Sequence, residues 1–151
     1  MLIQQLNRTD PERVQIMVKN VDGGGSITTG LGVCFPLSGA SIDGISAVKS
    51  TGALARGFVG VATQDIAING FGLATAWGYV NSVQISNVGT SITITAGDQL
   101  LAGAVAGTFF SAITPQATST QYYRFVSAAT TVPVDLSNLN QSFVAGIVRA
   151  L

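Results

Sequence analysis

Phe58-Val59-Gly60-Val61-Ala62-Thr63, then Asn69-Gly70 after Asp65-Ile66-Ala67-Ile68, then Leu73, Thr75, Trp77 and Tyr79 at every second position: this stretch decides the fold. Apolar and β-branched residues recurring with period two place alternate side chains on opposite faces of a strand. The pair Asn69-Gly70 supplies the positive φ angles of a tight type I′ hairpin. The returning strand continues through Val83 and Ile85, long enough to need a bend, and Gly78 is the natural place for a bulge. The expectation is an all-β chain.

The same period extends outward. Val14, Ile16 and Val18 alternate with Gln15, Met17 and Lys19, the pattern of a half-buried strand, which Asp22 and the glycines 23–25 end. A run over 31–35 stops at Pro36, which cannot donate to a ladder. Residues 38–57 read as a long loop with isolated Ile42, Ile45 and Val48. Downstream, 91–95 is a short strand of Ile alternating with Thr or Ser, Ala96-Gly97-Asp98 is a turn into Gln99-Leu100-Leu101, and 109–113, 122–127 and 143–149 are further strands. Two segments have any helical character: 46–55, broken by Thr51 and Gly52, and 136–141, too short to stand alone. Turns every roughly eight to twelve residues are the spacing of sandwiches and barrels. The predicted architecture is a compact antiparallel β-barrel or β-sandwich over 14–151, preceded by an extended arm over 1–13. One echo is internal, between Phe58-Val59-Gly60-Val61-Ala62 and Phe143-Val144-Ala145-Gly146-Ile147-Val148, and two copies do not make a repeat protein.

Composition narrows the function. Charged residues make up 9% of the 151, against roughly 25% in ordinary soluble proteins, so polarity comes from Ser, Thr, Asn, Gln and Gly. Seven basic and seven acidic residues cancel, leaving no field to attract nucleic acid or anionic lipid. A mean hydropathy of +0.47 with 47% hydrophobic residues implies more apolar surface than one small core hides, and hence an oligomer. Every apolar run is interrupted well short of the roughly 18 to 20 residues of a membrane span. The opening Met-Leu-Ile-Gln-Gln-Leu lacks the basic head and long apolar centre of a secretory signal, so the chain is expected to be made and kept inside a cell.

Chemistry-bearing motifs resolve into structural ones. There is no histidine, and the single Cys34 lies in a strand between Val33 and Phe35, where a thiol behaves as a small hydrophobe. A His-based triad and zinc clusters fall away. The glycines 23–25 lack the lysine and helix of a phosphate loop. Asp43, Asp65, Asp98 and Asp135 are scattered, in settings where aspartate fixes a turn. No catalytic residue, metal site or cofactor is expected. Trp77 with Tyr79, and Tyr122 with Tyr123, are candidate core or subunit-interface aromatics, or else a sugar-stacking platform. In the arm, Leu2, Ile3, Leu6, Arg8 and Arg13 are candidate partner-binding residues, able to dock an extended strand on a neighbour's sheet edge; a frayed terminus is the equal alternative.

Gly60-Val61-Ala62, the Asn69-Gly70 turn, Trp77-Gly78-Tyr79-Val80 and Ala96-Gly97-Asp98-Gln99-Leu100 together resemble the decoration (cement) proteins on the outside of tailed-bacteriophage heads, mostly over 57–110, and the closing 143–148 segment resembles their final strand. The resemblance implies a homotrimer seated between major capsid protein subunits on the capsid exterior, holding the shell together, with no catalysis and no cofactor. Low charge agrees with close subunit packing, because burying imperfectly paired charges is costly. The alternatives are another virion component, such as a head fibre base or tail protein, and a carbohydrate-binding β module.

Overall fold

The structure, a computed structural model, describes residues 13–36, 43–51, 57–85, 92–102, 107–111, 126–134 and 142–150. Among them there is no α-helix, and eleven strands follow in order: β1 Val14–Asn20, β2 Gly32–Cys34, β3 Ser46–Lys49, β4 Phe58–Ala62, β5 Phe71–Ile85, β6 Ile92–Ile94, β7 Gln99–Ala102, β8 Phe109–Ser111, β9 Val126–Ala128, β10 Val132–Val134 and β11 Ser142–Arg149. The arm residues Leu2, Ile3, Leu6 and Arg8 and the pair Tyr122 and Tyr123 lie outside the described residues, as do Asp135 and the 136–141 segment.

β5 organises the molecule. Its first half pairs with β1 and β4, and the order β1-β3-β2-β4-β5 closes through the β1–β5 ladder into a five-stranded barrel. Its second half pairs with β11, and β11-β9-β7-β8 returns to β5 through a short parallel pairing at Ile85 and Phe109, making a second ring on the same strand. β6 and β10 form a separate two-stranded ladder. The barrel reading therefore holds over the sandwich. Pairing is antiparallel except at β1–β3 and β5–β8. Closure removes the free edges that so many short strands would otherwise present.

Two apolar clusters fill this frame. Val18, Ile27, Leu31, Val33, Ala47, Val59, Ala62, Ile66 and Ala74 form the first, inside the barrel. Phe58, Val61, Val80, Val83, Ile85, Ile94, Leu100, Val126 and Val148, with Cys34, form the second. β4 feeds both, and a bulge makes this possible: Val33 pairs with Gly60 but Cys34 with Phe58, so Val59 is the extra residue and the alternation changes phase. All five residues of β4 are buried as a result. Gly60 is obligatory here, because a Cβ on it would lie 2.3 Å from the Thr75 carbonyl oxygen of β5. The two segments of the internal echo occupy comparable places, β4 and β11 each pairing antiparallel with β5.

Two expectations are corrected, and one strand is added. The Asn69-Gly70 pair does not make a type I′ hairpin: only Asn69 has positive φ (60°), and the Gly70 amide donates to the Ala67 carbonyl, so the tight turn spans Ala67 to Gly70 with Asn69 third. The 38–57 loop contains β3, which forms because it is paired on both sides, parallel to β1 and antiparallel to β2, with Ala47 fully buried; the same pairing excludes a helix beginning at Ser46. β10 is a strand despite Pro133, which pairs with Thr93 in a two-stranded ladder where each strand keeps a free edge for an absent donor. The expected long strand is present, β5 running fifteen residues; Gly78 has φ 104° but pairs regularly with Val148, and the slip against β1 falls at Ala76, between Thr75 and Trp77, not at Gly78.

The buried amide of Asn20 anchors the barrel's loops. Its Nδ2 donates to the carbonyls of Gly25 (3.1 Å) and Ile66 (2.9 Å), and its Oδ1 accepts from the Asp22 amide (2.9 Å). A buried polar group is tolerated when its bonds are made in this way. Asp22 continues the stitch, accepting from Gly24 N (2.7 Å) and Lys49 N (2.9 Å), so that the end of β1 is tied to β3.

Candidate functional site

The even positions of β5 from Gly72 to Val80 are buried, and of the odd positions Phe71 and Trp77 are exposed and Leu73 and Tyr79 half-buried, all four apolar, while Thr75 between them is fully buried at the register slip against β1. The register extends this line sideways. On β1, Met17 stands opposite Leu73, Lys19 opposite Phe71 and Val14 opposite Trp77; on β11, Ile147 stands opposite Tyr79 and Arg149 opposite Trp77. Directly opposed residues share a face. The result is an apolar stripe across three strands, with Met17 62%, Phe71 59% and Trp77 38% exposed. Its ends carry cations: Lys19 Nζ lies 6.0 Å from the Phe71 ring centroid, and Arg149 is exposed beside Trp77.

Of the aromatics singled out in the sequence, the structure brings Trp77 and Tyr79 together on this face, Trp77 exposed and Tyr79 half-buried. Neither is a core residue. Arg13 is exposed immediately before β1. Phe71, Met17 and Ile147 belong to the stripe and were not singled out. One local signal was available for Met17, an apolar residue on the Gln15 and Lys19 side of an alternating strand; for Ile147 the signal exists only once β11 is placed beside β5.

The polar candidates behave as structure. Asp43 Oδ1 accepts from Ser46 N (2.6 Å) and Ile45 N (2.9 Å), and Oδ2 from Ser46 Oγ (2.7 Å), which starts β3. These donors, the Ser46 amide foremost, hold the Asp43 carboxyl down to about 2. Asp65 accepts from Thr29 N (2.7 Å) and Thr29 Oγ1 (3.0 Å), bonds that lower its pKa and tie the 28–30 turn to the segment after β4. Asp98 Oδ2 accepts from Thr95 N (2.8 Å), closing a turn in which Gly97 has φ 96°. Cys34 is fully buried, and desolvation pushes its thiol up to about 12, a backbone hydrogen bond at Thr51 opposing this only in part. A thiol in that state is not a nucleophile at neutral pH.

Among the described residues, no group of three or more His, Cys, Asp or Glu is placed to hold a metal ion, and no helix is long and apolar enough to cross a membrane.

No family model matches the sequence, and neither does any curated protein. Among solved structures, the chain is similar to the head fibre gp8.5 N base of bacteriophage phi29, with a TM-score of 0.50 and 14% identity, over 92% of this chain and 96% of that one. At that identity the likeness is one of fold, and it extends through nearly the whole of both chains.

Proposed function

We propose that this chain is a non-enzymatic structural protein of a bacteriophage virion, carried on the exterior of the head, and that copies of it associate through the stripe on β1, β5 and β11. The observation that carries the reading is the fold shared end to end with the base of a phage head fibre. The resemblance of 57–110 to head decoration proteins, drawn from the residues alone, points to the same surface of the same particle. The stripe supplies the means: rings of Trp77, Phe71 and Tyr79 with Met17 and Ile147 form the aromatic and Met-rich patch with few charges that subunit interfaces favour. A closed trimer meets the need to bury this patch without open-ended polymerisation.

Two finer readings remain within the proposal. A cement protein seated between major capsid protein subunits is present in hundreds of copies per particle, a fibre base in far fewer. Quantitative mass spectrometry of gradient-purified heads from cells expressing this gene, referenced to the shell protein, separates them. Absence of the chain from purified particles refutes both. Deleting residues 1–12 tests the arm: weakened attachment to heads with an unchanged β spectrum is the expected result, and unchanged attachment removes the arm from the mechanism.

A further inference from the structure

Two adjoining hollows lie on the surface, sharing Thr29 and Ser82 as a common wall. The first, about 180 Å³, is lined by Arg13, Thr29, Thr63, Asn81 and Ser82 with Ala62 and Val80. The second, about 420 Å³, is lined by Thr28, Thr29, Asp65, Ser82, Gln84 and Phe143, and its volume falls within the roughly 300–1,000 Å³ typical of ligand sites. Neither contains a residue of the assembly stripe.

The groove is built deliberately. Gly30, with φ +86°, lies so close to β5 that a Cβ on it would stand 3.2 Å from Ser82 Oγ and 3.3 Å from the Gln84 amide. Its own amide donates to the Ala62 carbonyl, and its carbonyl accepts from Gln84 N (2.9 Å). Asp65 clamps the other side of the turn through Thr29, and both of those bonds use Oδ1, so neither occupies Oδ2. Gln84, which lines the second hollow, is 3% exposed. Phe143 stands opposite Gln84 in the β5–β11 register, with 53% of its surface exposed. An exposed aromatic side chain beside an amide, a carboxylate and three hydroxyl side chains is the chemistry that recognises a sugar: stacking on the ring's C–H face, and planar acceptors and donors for its hydroxyls. One cation and one anion give no preference for phosphate.

We propose that this groove binds a saccharide, one ring stacking on Phe143 while Asp65, Gln84 and the hydroxyls of Thr28, Thr29 and Ser82 take its hydroxyl groups. This does not depend on the virion reading, since a chain absent from particles would keep the groove. The test is an array of bacterial and animal polysaccharides probed with the full chain, with any bound glycan then titrated by calorimetry. Phe143→Ala is expected to weaken that binding about tenfold, the scale of one lost stacking partner, with the circular dichroism unchanged. Ile68→Ala, an exposed apolar residue that lines neither hollow and lies outside the stripe, is expected to leave it intact. Binding to no spot above an albumin control, equal binding by Phe143→Ala, or equal loss in Ile68→Ala each overturns the proposal.

Discussion

Gly60→Ala probes the joint on which the two-ring architecture rests. The added methyl would meet the Thr75 carbonyl oxygen at 2.3 Å, the Thr75 carbonyl carbon at 2.8 Å and Ala76 Cα at 3.2 Å, all backbone atoms of the neighbouring strand. No rotamer change relieves such a contact, so β4 or β5 must move, and both feed two cores. Overpacking of this kind belongs at the top of the usual range, about 3 kcal/mol. In a chain of this size that lowers Tm by roughly 6 to 12 °C. Gly146→Ala is the internal comparison: its methyl meets Val83 Cγ2 at 2.8 Å and Val126 Cγ1 at 3.2 Å, side-chain atoms that can give way, so about 1 to 2 kcal/mol is expected. Gly23→Ala, with nothing within 4 Å, should change stability by less than about 0.5 kcal/mol. Thermal and urea unfolding followed by circular dichroism measure all three. If Gly60→Ala melts with Gly23→Ala, β4 does not cross β5 at this distance and the described packing is wrong.

Two further predictions concern titratable groups. Asp43 has a folded pKa held at about 2 against an ordinary 3.8, so the unfolded chain binds more protons between those values; its contribution is complete above about pH 4 and is lost as pH falls through 2. Urea unfolding as a function of pH should therefore show a shallower acid decline for Asp43→Asn than for the parent, and parallel declines would show that the Ser46 and Ile45 bonds do not form. Cys34, buried with its thiol at about 12, should resist iodoacetamide at pH 8 in the native state and react fully in guanidinium; rapid native labelling would contradict its place in the second core.

Much of the fold was legible because one-sided burial writes a period of two into a strand. Ile16 and Val18 alternate with Gln15, Met17 and Lys19 since one face of β1 packs into the barrel, while Val14, beyond the register slip, is exposed; the division of β5 is visible in Leu73, Trp77 and Tyr79 and fails at the fully buried Thr75. β3 was hidden because Ser46-Ala47-Val48-Lys49 has no period of its own; its strand state comes from β1 and β2 on either side. β10 was not singled out in the sequence, and its Pro133 sits in a two-stranded ladder where a missing donor is tolerated. Asn69-Gly70 correctly marked a reversal, but with Ile66 paired to Ile27 the tight turn lies one residue earlier than a type I′ hairpin on that pair would place it. The stripe was half legible: Trp77 and Tyr79 stood out within one window, while Met17, Phe71 and Ile147 join them only through inter-strand register. The groove was not legible at all, since Thr29, Asp65, Gln84 and Phe143 come together solely through the turn at Gly30 and the β5–β11 pairing.

The most direct test of assembly through the stripe is the solution mass by light scattering after size exclusion, for the parent chain and for the double substitution Phe71→Asp with Trp77→Asp. Both side chains face outward from β5, so the variant should keep its β spectrum. The account predicts a parent mass near three times 15.4 kDa that falls to 15.4 kDa in the variant. A parent chain that runs as a monomer, or an oligomer indifferent to both aspartates, would contradict it.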